Sequence, residues 1–170
     1  ELCRSEDGRL YFSMKLVGGR PLSEVLQELA SSTPVSEMPS VRPRLLDDFR
    51  KILDAVGFAH SRGVWHRDLK PDNIMFGEFG EVLVLDWGIA KQLGTSEIGN
   101  TGEGGDAEEP ENTLEGAILG TPAYMSPEQA IGAQKEIDTR SDIYALGAIL
   151  YQILTLEPPY RGATASDILQ

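Results

Sequence analysis

The sequence predicts an α+β fold in which helices outweigh strands. Three stretches place apolar residues at helical spacing, and two short apolar runs flank a turn that begins and ends in glycine. An isolated run of strand character adds a third observation, and 170 residues suffice for one domain with a real core.

Leu10 to Val17 reads as a strand bounded by Gly18 and Gly19. Leu22, Val25, Leu26 and Leu29 then predict a short helix. Ser31 to Pro43 holds three prolines and four serines, which predicts a loop. From Arg44 to His60 the residues Leu45, Leu46, Phe49, Ile52, Leu53, Val56 and Ala59 make one apolar stripe, with Asp47, Asp48, Arg50, Lys51 and Asp54 mostly off it. Ile74 to Phe76 and Val82 to Leu85 predict a hairpin through Gly77-Glu78-Phe79-Gly80. Gly94 to Gly116 is different in kind, with seven acidic groups, six glycines and no Lys or Arg in 23 residues. Such a stretch buries too little apolar surface to offset its ordering entropy, so a flexible loop is predicted. Thr139 to Leu156 is apolar almost all round and predicts a central helix, and a further helix is expected to begin after Ser166.

Composition excludes several classes of function. The formal net charge is −12, more than half of it carried by the acidic loop, which argues against a nucleic-acid partner. The single cysteine, Cys3, permits no intrachain disulfide and suits a reducing, cytoplasmic setting. The longest apolar run, Ile143 to Leu156, has 14 residues, including Tyr144, Tyr151 and Gln152. A bilayer span needs about 20 apolar residues, so no span is predicted within this segment. The opening Glu-Leu-Cys-Arg without an initiator Met suggests a piece of something longer, whose remainder could carry a membrane anchor.

The chemistry concentrates in Val64-Trp65-His66-Arg67-Asp68-Leu69-Lys70-Pro71-Asp72-Asn73, followed by Asp86-Trp87-Gly88 eighteen residues after Asp68. Two acids and an amide on neighbouring loop and strand ends can hold a hard cation such as Mg²⁺, which prefers oxygen ligands and shares them with substrate phosphates. The predicted hairpin brings Asn73 and Asp86 to one end, and Lys70 would sit beside Asp68, ready to neutralise phosphate charge.

His66 to Asn73 resembles the catalytic loop of serine/threonine protein kinases, H-R-D-L-x-x-x-N. Asp86-Trp87-Gly88 resembles the D-F-G motif with Trp for Phe, and Gly120 to Glu128 the end of the activation segment with Ser126 where A-P-E has Ala. Asp142 to Gly147 resembles the start of the family's central C-lobe helix, and Ser126-Pro127-Glu128-Gln129-Ala130 is most similar to the bacterial, eukaryotic-like branch.

The resemblance implies a protein kinase fold: residues 1–20 as the last N-lobe strand and hinge, 21–170 as C-lobe, and 86–128 as activation segment. It implies ATP and Mg²⁺ as cofactors and proteins with Ser or Thr as substrates. Asp68 would accept or orient the hydroxyl proton, and Asn73 and Asp86 would hold the metal. Lys70 would contact the transferred phosphoryl group, paired with Thr121 in the serine/threonine pattern. Met14 would back the adenine pocket, and the backbone of Lys15, Leu16 and Val17 would bond adenine. His66 and Asp142 would brace the loop, Asp142 by accepting backbone N–H bonds. Arg67 would receive an activation-loop phosphate, with Thr113 the candidate and Thr95, Ser96 and Thr101 weaker ones; Glu111 and Glu115 beside Thr113 would oppose that phosphate.

Plainer readings stand beside these. Asp-Trp-Gly alone is an ordinary strand end, His60 flanks a helix end, and Trp65 is a core aromatic. Trp87 packs as the family's Phe does. Glu128 alone is a surface acid; the family's ion pair would need an Arg beyond Gln170. A G-x-G-x-x-G loop, a V-A-I-K lysine and the helix glutamate are not among these 170 residues, and the resemblance puts them before residue 1. Two functions follow: a piece of an active kinase, inactive by itself, or a pseudokinase that serves as a binding or scaffolding module.

Overall fold

The computed structural model describes residues 2–4, 10–12, 17–34, 36–87, 91–92 and 122–161. Strands β1 (Leu2–Arg4), β2 (Leu10–Phe12) and β3 (Arg20–Pro21) precede helices α1 (Leu22–Ser32) and α2 (Met38–Ser61). Strands β4 (Val64–Trp65), β5 (Ile74–Phe76), β6 (Val82–Val84) and β7 (Lys91–Gln92) follow. The short α3 (Pro127–Ala130) and the long α4 (Thr139–Thr155) complete the described chain.

One core joins α1, α2 and α4. Leu22 and Leu26 of α1, Leu45, Phe49, Ile52 and Val56 of α2, and Ala145, Leu146, Ile149 and Ile153 of α4 enclose Leu69 and Ile74. Burying a side chain of this size is worth about 1.5–3 kcal/mol, so Leu69 and Ile74 pin both ends of the loop between them. The strands add three small antiparallel sheets: β1 with β2, β3-β5-β6, and β4 with β7. The predicted hairpin is β5 and β6, with Ile74 opposite Val84 and Phe76 opposite Val82. β3 joins its edge, close enough that a Cβ at Gly19, where φ is +120°, would collide with the Phe76 carbonyl oxygen.

Three sequence expectations need correction. The loop expected at Ser31–Pro43 is mostly helical, because α1 runs to Ser32 and α2 starts at Met38 instead of Arg44. Pro39 falls in the first turn, where its missing N–H has no helical partner. Pro43 lies inside the helix and removes one hydrogen bond. Met38 and Val41 extend the stripe of Leu45, Phe49, Ile52 and Val56 onto the core, and that burial offsets it.

The α4 helix is central but not covered all round: Ile143, Tyr151 and Leu154 are 58%, 47% and 41% exposed among the described residues. The strand expected at Leu10–Val17 is observed at Leu10–Phe12; Val17 is irregular and 13–16 lie outside the described residues. Strand β6 stops at Val84, one residue short of the expected end. The acidic stretch 94–116 and the helix after Ser166 also lie outside the described residues.

Candidate active site

Helix α2 ends at Ser61, and β4 carries the chain from there into the loop of residues 66–70. The first turn of α4 delivers Asp142 beneath that loop, only 1% exposed. A buried carboxylate needs donors, and three converge on it. Its Oδ2 accepts the His66 N–H at 2.9 Å and His60 Nε2 at 2.7 Å, and its Oδ1 accepts the Arg67 N–H at 2.8 Å.

The next layer places Asp68. The fully buried His66 ring accepts the Asp68 N–H on Nδ1 at 3.3 Å and donates from Nε2 to the Leu85 carbonyl at 2.8 Å. Those two bonds select the neutral tautomer with hydrogen on Nε2. Asn73 Nδ2 donates to the Asp68 carbonyl at 2.9 Å, and Lys70 Nζ lies 2.8 Å from Asp68 Oδ2. Asp68 is 9% exposed, so its charge sits in a low-dielectric setting beside a partner cation.

Arg67 has φ of 71°, in the left-handed region, and its carbonyl accepts Gln129 Nε2 at 2.6 Å. Burial pulls its guanidinium pKa down, with nearby Asp142 pulling the other way. An arginine nonetheless stays charged. The guanidinium lies 5.4 Å from the centroid of the buried Trp65 ring, a cation–π placement.

The hairpin carries the other half of the site. Asn73 ends a 3-10 turn (Pro71–Asn73) directly before β5, and Asp86 follows β6 by two residues. The Leu85 N–H donates to the Asn73 carbonyl at 2.7 Å, so Asn73 and Asp86 stand at one end of the hairpin. Since Asn73 Nδ2 is engaged with Asp68, its Oδ1 is the end available to a cation. The exposed Asp86 carboxylate supplies a second oxygen donor, and this pair fits Mg²⁺. Trp87 packs its ring 4.7 Å from His66 at 54° and donates Nε1 to the Val84 carbonyl at 2.9 Å.

Glu128 accepts from Ser141 Oγ at 2.5 Å. Burial pushes its carboxyl pKa up, but hydrogen bonds, chiefly from Ser141, and the charge of Arg140 leave it below the ordinary carboxylate value. Val17 is half-buried ahead of β3. Met14, Lys15, Leu16, Thr113 and Thr121 lie outside the described residues.

Two residues of this network escaped the sequence reading. His60 was expected only to flank a helix end; it does sit in the last turn of α2, but it also bonds Asp142 from 82 positions away. Gln129 follows Ser126 by three, the spacing of a capping box, which is the signal that could have exposed it. A cavity of about 560 Å³ lies between α1, α2 and the β5–β6 turn, with Val25, Leu29, Val41 and Phe76 in its wall, and none of the site residues lines it.

Comparison with known proteins gives the family. The protein kinase domain family matches residues 2–170. A serine/threonine-protein kinase PknD of Protochlamydia amoebophila is 40% identical over 172 residues, covering 96% of this chain and 17% of that protein. The PknD of Chlamydia muridarum is 42% identical over 169 residues, covering 92% and 18%, and that of Chlamydia trachomatis serovar D is 41% identical over 169 residues. The chain therefore spans less than a fifth of the length of these relatives.

Proposed function

Since the chain belongs to the protein kinase domain family, we propose that it forms the catalytic lobe of an enzyme moving the γ-phosphate of ATP to serine or threonine hydroxyls of protein substrates. Residues 1–20, with the paired strands β1 and β2, then form the end of the N-lobe and the hinge, and 86–128 the activation segment. The carrying observation is the grouping of Asp68, Lys70, Asn73 and the Asp86 end of the hairpin by short hydrogen bonds.

In this reading Asp68 orients the substrate hydroxyl and accepts its proton, while Lys70, already bonded to Asp68, faces the charge of the transferred phosphoryl group. Asn73 Oδ1 and Asp86 would hold Mg²⁺, which when bound neutralises phosphate charge. His66, Asp142 and Asn73 keep Asp68 in place throughout. Thr121 would complete the serine/threonine pattern beside Lys70, Met14 would back the adenine pocket, and the Lys15–Val17 backbone would bond adenine. ATP as co-substrate and the single cysteine support a cytoplasmic setting. No helix among the described residues is long and apolar enough to cross a membrane.

Positioning and electrostatics are nearly all the protein contributes to phosphoryl transfer, so Asp86→Asn in the full-length protein should lower transfer on the order of a hundredfold or more. Radiolabelled phosphate incorporation into a protein substrate measures it. Retained transfer in a folded variant would defeat the reading, and absence of transfer in the unaltered protein would favour a binding or scaffolding module.

A further inference from the structure

The peptide unit that leads into Asp68 is held at both ends. Its N–H, from Asp68, donates to His66 Nδ1 at 3.3 Å, and its carbonyl, from Arg67, accepts Gln129 Nε2 at 2.6 Å. The second bond is the shorter of the two. Arg67 needs that hold. Its φ of 71° is unfavourable for a residue with a Cβ and persists only where the surroundings over-determine it. Asp142 fixes its N–H side at 2.8 Å and Gln129 its carbonyl side.

The other end of the same amide is equally committed. Gln129 Oε1 accepts both the Ser126 N–H and the Ser126 hydroxyl at 3.1 Å, and the side chain is 6% exposed. One buried amide therefore ties the start of α3 to the backbone of the catalytic loop, 62 positions away in sequence. We propose that Gln129 is a positioning residue for Asp68, transmitting the placement of residues 126–130 to the peptide that aims the base. This rests on reading Asp68 as that base.

The mechanism follows from the bond it protects. Without the Gln129 donor the half-buried Arg67 carbonyl loses this partner, and the 67–68 peptide can rotate to find another. That rotation swings the Asp68 carboxylate off its line to the hydroxyl, and small misplacements of a reacting group cost rate steeply. ATP contacts neither Arg67 nor Gln129 in this reading, so its binding should be spared.

Two variants of the full-length protein separate the parts. Gln129→Glu keeps an acceptor for Ser126 but loses the N–H donor to Arg67, and Gln129→Met loses both without burying a charge. Each should lower kcat about tenfold while KM for ATP stays within about twofold. Ser126→Ala, which loses the hydroxyl bond to Gln129 Oε1 but keeps the Ser126 N–H donating to it, should lower kcat less than either Gln129 variant. Placed in an Asp68→Asn background, Gln129→Met should cost nothing further, because its effect passes through Asp68.

Unchanged kcat in a folded Gln129→Met protein would overturn the proposal. So would an undiminished loss in the Asp68→Asn background, or failure of both Gln129 variants to fold, which would make the role structural. Full activity of Asp68→Asn alone would defeat the reading of Asp68 itself, a result that needs no change at Gln129.

Discussion

The two carboxylates of the site are held in opposite ways. Asp68 is buried, and the backbone around it is fixed by groups remote in sequence, Asp142 at 75 and 76 positions and Gln129 at 62. Asp86 is exposed at φ of 61°, and its hairpin end is set by a local bond between Leu85 and Asn73. Placing the base is thus a property of the tertiary core, whereas the proposed metal ligand sits at the exposed end of one hairpin, joined to that core through the His66 contacts with Leu85 and Trp87. Perturbing the first should cost stability and activity together; removing the exposed Asp86 carboxylate should cost activity alone.

The largest effect is expected from Asp142→Ala, which leaves the buried His66 and Arg67 N–H groups without an acceptor. It should destabilise by about 3 kcal/mol or more and abolish transfer, read as a shift of the denaturant midpoint. Asp86→Asn is the contrast: its midpoint should stay put while transfer is lost. An equal loss of stability in both variants would erase the distinction between the two ends.

Trp87→Phe sharpens the comparison at the hairpin end. It removes the Nε1 bond to Val84 and keeps an aromatic ring against His66. About 1 kcal/mol of stability should be lost, with kcat within about threefold, measured by thermal melting beside steady-state kinetics.

The smallest effect belongs to Glu128, whose folded pKa is depressed below the ordinary 4.5. A depressed carboxyl contributes stability above its unfolded pKa, and that contribution is lost as pH falls through the folded one. The stability difference between the protein and Glu128→Gln should therefore shrink below pH 4.5, seen in melting temperatures across an acid series. A difference independent of pH there would show that the Ser141 bond does not depend on the charge.

What was legible in the sequence follows the same division. The β5–β6 hairpin, α1 and α4 rest on local periodicity, and the loop chemistry is written within eight residues, His66 to Asn73. The start of α2 differs from the expected Arg44 because the apolar stripe runs on through Val41 to Met38 despite the prolines and serines there. The α4 helix is central as its apolar composition predicts, but composition does not say which side finds a neighbour, and Ile143, Tyr151 and Leu154 stay exposed. His60 and Gln129 act on partners more than 60 positions away, which no local pattern encodes.

The most direct test is the kinetics of Asp68→Asn in the full-length protein. Asn keeps the size of the side chain but can accept no proton, and it does not touch the nucleotide in the proposed arrangement. The expected result is a kcat lowered on the order of a hundredfold with KM for ATP within about twofold. A kcat close to that of the unaltered protein would show that Asp68 is not the group that handles the substrate hydroxyl, and would contradict the role given to the buried network around it.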